Sequence, residues 1–69
     1  MNKYKYSELH GKIIGTYGTL ANFAKALEIN KNSVTNKLTG RTPWKDPEIT
    51  KICTLLSIPP SDVAIYFLL

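Results

Sequence analysis

The chain has 69 residues, an apolar fraction of 43%, one cysteine and a formal net charge of +4. That length supports one small domain over 1–69, near the lower size limit for a self-sufficient core, and the apolar content excludes an intrinsically disordered chain. One cysteine excludes an internal disulfide and a multi-cysteine metal site, and the lack of a signal-peptide pattern or a membrane-length apolar run predicts a cytoplasmic protein with no membrane role.

Alternating apolar-polar runs of strand length are missing, so the expectation is all-α, a bundle of about five short helices. At the N-terminus, Tyr4 and Tyr6 are flanked by Lys3 and Lys5. This pattern suits either a basic-aromatic arm along a phosphate backbone or a strand-like segment packing its tyrosines on the body, and the second reading is favoured. The first helix is expected to start at Ser7 as N-cap, to turn Leu9, Ile13, Ile14 and Tyr17 inward, and to stop at Gly18. Gly11 and Gly15 each weaken it by about 1 kcal/mol relative to alanine, unless they admit another helix at close range.

Thr19 is the expected cap of a second helix reaching Leu27, with Leu20, Phe23, Ala24 and Leu27 on one face at i, i+3, i+4 and i+7. Glu28 interrupts this period, and Ile29 is apolar out of phase, as a buried turn residue would be. Asn30 then caps a third helix, Lys31 to Leu38, anchored by Val34 and Leu38 and stopped by Gly40. The stretch 39–46 is a loop whose Trp44 is expected to dock on the core. Asp46 followed by Pro47 starts a fourth helix, with Asp46 as N-cap, Glu48 at the positive end of the dipole, and Ile49, Ile52, Leu55 and Leu56 as its apolar stripe. Cys53 lies within that apolar run and reads as a small buried hydrophobe. Pro59 and Pro60 break the helix, and a fifth runs to Phe67 on the anchors Val63, Tyr66 and Phe67. Leu68 and Leu69 are left exposed, suited to a partner or a second copy.

Segment 20–38 therefore reads as a helix-turn-helix, a unit that lays its second helix in the DNA major groove. The outward residues of that helix are polar and none is acidic. Lys31, Asn32, Thr35 and Asn36 are the base-contact candidates, since carboxamides pair with adenine edges and the threonine methyl suits thymine. Asn22, Ser33, Lys37, Arg41 and Lys45 are the phosphate-contact candidates, although Lys37 also suits the helix C-terminal dipole. From Lys25 to Lys45 five cations face one acid, Glu28, whereas the chain from Ile52 onward carries only Asp62. A polyanion-facing side and a packing side follow from that asymmetry. His10 has no ligand partner at metal spacing, no nucleophile–base pair or phosphate loop is evident, and neither an enzyme nor a cofactor is expected.

With Ala24, Ile29, Val34 and the Leu38-Thr39-Gly40 ending in place, the chain resembles the lambda-repressor-like helix-turn-helix family. The opening YKYSELHGKIIGTYGT and the close IPPSDVAIYFLL are similar to a narrower set of small Cro-like repressors and modulators from phages of Gram-positive bacteria. Two positions depart from the family pattern: Leu20 stands where glutamine commonly touches a phosphate, and Glu28 stands where glycine commonly makes the turn. The resemblance implies a sequence-specific transcriptional regulator whose helix 31–38 reads double-stranded operator DNA, working as a homodimer or in tandem where tight specificity is needed. The alternative is an antirepressor or modulator that binds a partner repressor by protein–protein contact, and Leu20 and Glu28 are the residues that favour it.

Overall fold

The structure, a computed structural model, describes residues 3–68. The described residues form α1 (Ser7–Tyr17), α2 (Leu20–Leu27), α3 (Lys31–Leu38), α4 (Asp46–Leu56), a single 3-10 turn (Pro60–Asp62) and α5 (Val63–Phe67), with no strand among them. Leu69, expected to be exposed, lies outside the described residues.

Helix boundaries follow from which groups satisfy the free amides and carbonyls. The Thr19 hydroxyl accepts from the Asn22 amide at 3.1 Å, and the Asn30 carboxamide oxygen accepts from the Asn32 amide at 2.7 Å. Two expected caps shift by one residue. Ser7 is the first helical residue of α1, behind Tyr6. Asp46 is the first residue of α4, because Glu48 reaches back to accept the Lys45 amide at 2.9 Å and draws Asp46 into the helix. Three helices end on the same left-handed motif. Glu28 (φ 63°), Gly40 (φ 87°) and Ser57 (φ 55°) each follow the last turn, and the next amides, of Ile29, Arg41 and Ile58, bond back to Ala24, Asn36 and Cys53.

Helix α1 packs on each of the other four helices, and its Leu9 and Ile13 are fully buried. Around them lie Phe23, Val34, Leu38 and Ile52, also fully buried, with Ala24 letting α2 and α3 approach. Ile14, expected inward, is instead 37% exposed, since consecutive helical residues stand about 100° apart and Ile13 takes the buried direction. Gly11 and Gly15 admit no close neighbour: a Cβ at either would meet nothing within 4 Å. They cost helix propensity without a packing return.

Trp44 is buried as expected, edge-on to Tyr6 (6.2 Å) and to Phe67 (5.9 Å). Its indole N–H finds no acceptor among the described residues. The N-terminal segment packs on the body, as favoured: Tyr4 stacks on His10 at 3.9 Å, and the Tyr6 amide donates to the Leu38 carbonyl at 3.1 Å. It does so as a turn rather than a strand.

The helix pair α2–α3 is tied to α4 by two charged side chains. Lys37, only 8% exposed, places its ammonium 3.2 Å from the Glu48 carboxylate, 3.2 Å from the Pro43 carbonyl and 5.9 Å from the Trp44 ring centre. Lys51 donates to the Leu27 carbonyl at 3.3 Å and to Glu28 at 3.1 Å, capping the negative end of α2. Lys37→Met keeps most of the side-chain volume but strands the Glu48 carboxylate. We expect it to lower stability by about 1–3 kcal/mol, between the values for exposed and fully buried pairs. In urea unfolding, Lys37→Met/Glu48→Gln should recover part of that loss, and an unchanged midpoint in the single variant would contradict the account.

Candidate interaction surface

Burying Val34 and Leu38 turns the opposite side of α3 outward, and the consequence can be read residue by residue. Lys31 and Asn32 are exposed, while Ser33, Thr35 and Asn36 are half-buried. The Thr35 hydroxyl donates within its own helix to the Lys31 carbonyl at 3.2 Å, leaving its methyl as the outward chemistry. The Asn36 carbonyl accepts from the Arg41 amide at 2.9 Å and from the Thr39 hydroxyl at 3.1 Å, so the helix end is closed by its own loop. Lys25, Arg41 and Lys45 are exposed around this face.

Two of the expected phosphate contacts have other partners. Lys37 is buried where an exposed cation is expected: its ammonium lies 3.2 Å from the Glu48 carboxylate and 3.2 Å from the Pro43 carbonyl. The cause is Glu48, whose carboxylate caps α4 and needs a cation at that depth. Asn22 donates its carboxamide N–H to the Tyr17 carbonyl at 3.1 Å, closing the end of α1 onto α2. Ser33, Arg41 and Lys45 carry no comparable internal bond from their side chains among the described contacts. What remains is a narrower set of exposed cations than the sequence suggests.

At the turn between α2 and α3, Glu28 adopts the left-handed conformation at φ 63°, ψ 37°. An L-residue with a Cβ is disfavoured there by about 1 kcal/mol relative to glycine. Its carboxylate is paired with Lys51, which offsets the negative charge beside the basic surface. That pair is open to water, with the Glu28 side chain 82% exposed, so its contribution is small.

The structure also brings together residues that the linear pattern kept apart. Lys3 and Tyr4 of the N-terminal segment, Ile14 of α1, Leu20 and Ala21 of α2, and Lys31 of α3 line one cleft of about 620 Å³. A signal for it existed in the sequence: Ile13 and Ile14 are adjacent apolar residues on one helix, and both cannot face the core. Lys51 has no signal in the linear pattern, because its role depends on α4 crossing the end of α2.

Glu28→Gly isolates the cost of the turn. It relieves the left-handed strain and removes one exposed ion pair, so we expect a gain of up to about 1 kcal/mol in urea unfolding. A loss of stability would mean that the Lys51 contact outweighs the backbone term.

No curated protein matches the sequence. Among solved structures, the chain is similar to the solution structure of the modulator of repression (MOR) of the temperate bacteriophage TP901-1 from Lactococcus lactis. Identity is 42%, the TM-score is 0.79, and the match covers 94% of this chain and 88% of that one. Residues 2–69 match the family described as Protein of unknown function (DUF739), and the chain belongs to that family.

Proposed function

We propose that this chain is a phage modulator of repression, acting by contact between its α2–α3 helix-turn-helix and a partner repressor. The observation that carries this reading is the 42% identity, across 94% of the chain, to the modulator of repression of bacteriophage TP901-1. The surface chemistry supports it. A DNA-reading unit fixes its register through phosphate contacts made by side chains and helix N-termini. Here Lys37 lies inside the fold, Asn22 bonds to Tyr17, and Leu20 offers no hydrogen-bond donor from its side chain. The same face retains Lys31 and Asn32 beside the half-buried, apolar Leu20, a mixture suited to a protein partner. By covering the partner's own DNA-binding surface, such a contact would relieve repression sterically.

A second reading, direct operator binding in the manner of a Cro-like repressor, draws on the exposed Lys25, Lys31, Arg41 and Lys45. In our reading these cations give only weak binding to DNA without sequence preference, falling steeply as salt rises.

Two titrations separate the readings. Calorimetry of this chain against the DNA-binding domain of the cognate phage repressor should give saturable binding. Fluorescence anisotropy should give equal, weak affinities for the operator duplex and a random duplex, lost between about 50 and about 200 mM salt. Absence of repressor binding together with tight, operator-specific DNA binding would reverse the assignment.

A further inference from the structure

The cleft between the N-terminal segment and the starts of α2 and α3 combines apolar, charged and uncharged polar surface, the last from His10, Thr19 and Thr35. Its apolar part comes from Tyr4, Ile14, Leu20 and Ala21. Ile14 is 37% exposed although it follows the fully buried Ile13, so the fold leaves an isoleucine open to water at this point. Its charged part comes from Lys3 and Lys31, both exposed, and no acidic residue lines it. The first residues of α2 and of α3 both border the cleft, so the positive ends of two helix dipoles add to the same potential. The N-terminal wall is fixed in place by the Tyr4–His10 stack at 3.9 Å and by the Tyr6 amide bond to Leu38.

We propose that this cleft takes an apolar side chain of the partner repressor together with an adjacent carboxylate, the apolar group against Ile14 and Leu20 and the carboxylate between Lys3 and Lys31. The inference rests on the partner-binding reading above and names the part of the surface that would carry it. Charge complementarity selects the acid, since the cleft presents cations and helix N-termini with no compensating carboxylate. The apolar lining selects a protein over nucleic acid. A phosphate backbone keeps its hydration and seeks several donors, and burying it against isoleucine and leucine leaves polar oxygens unpaired. A protein segment with neighbouring apolar and acidic side chains satisfies both halves at once.

The test uses the full chain with the DNA-binding domain of the cognate phage repressor. In two-dimensional amide NMR, adding that domain should shift the resonances of Tyr4, Ile14, Leu20 and Lys31, whereas a random DNA duplex should leave Ile14 unmoved. By calorimetry, Ile14→Gln and Lys31→Glu should each weaken the repressor complex by about tenfold or more. Ile65→Gln, at an exposed apolar residue of α5 that does not line the cleft, should stay within about twofold of the wild type. Both cleft substitutions sit at exposed positions, and equal thermal midpoints would establish that the fold is kept. If the wild type binds the repressor but the two cleft variants bind equally well, the cleft assignment falls while the partner-binding reading stands. If DNA shifts Ile14 as the repressor does, or if the Ile14 shift depends on the concentration of this chain alone, the occupant is a duplex or a second copy and the proposal is overturned. If the wild type does not bind the repressor at all, both readings fail together.

Discussion

The helix pair is held in place by two side chains of opposite charge on α4, one turn apart. Glu48 accepts the Lys45 amide at the start of its own helix and draws the Lys37 ammonium of α3 inward, while Lys51 donates to the last carbonyl of α2 and to Glu28 in the turn. Both members of the pair are therefore fixed from the same helix. Around the first contact, the Lys37 ammonium lies 5.9 Å from the centre of the Trp44 ring, which in turn meets Tyr6 and Phe67 edge-on. The N-terminal segment, the 39–45 loop and the C-terminal helix thus converge on one indole. Apolar packing supplies most of the stabilisation, but these polar contacts determine where the pair sits.

This arrangement has a chemical consequence for the exposed face. A lysine drawn inside to satisfy a glutamate is lost as a surface cation, and an asparagine bonded to the end of α1 commits one of its two N–H groups there. The face that remains is basic but discontinuous, and it adjoins an apolar cleft at the starts of α2 and α3. Under the proposed function, the exposed cations would steer an acidic partner surface and the apolar part would supply contact energy. Glu28, which would repel phosphates if free, is paired with the Lys51 ammonium in an exposed contact of small energetic weight.

Much of the fold was legible because helical period and capping chemistry are local. Leu20, Phe23, Ala24 and Leu27 declared a face, Thr19 and Asn30 declared starts, and Gly18 and Gly40 declared stops, all through interactions within four residues. Errors arose where two local rules competed. Ile13 and Ile14 both fit an apolar stripe, and only the packed helix decides which is buried. Asp46 and Glu48 both suit the start of α4, and the longer side chain reaches the free amide. The site was less legible than the fold. A lysine on a polar helix face looks like a phosphate contact until a glutamate eleven positions on is brought beside it. The cleft was only partly legible, through the Ile13-Ile14 pair, since it joins the N-terminal segment to residues of three helices.

If the α2–α3 pair covers the repressor's DNA-binding surface, this chain and operator DNA compete for the repressor. Sedimentation velocity of a ternary mixture resolves this directly, with this chain in excess over the cognate repressor and a fluorescently labelled operator duplex. The account predicts that the labelled DNA sediments as free duplex while the two proteins move together as a binary complex. A labelled complex containing DNA and this chain, with or without the repressor, would contradict it.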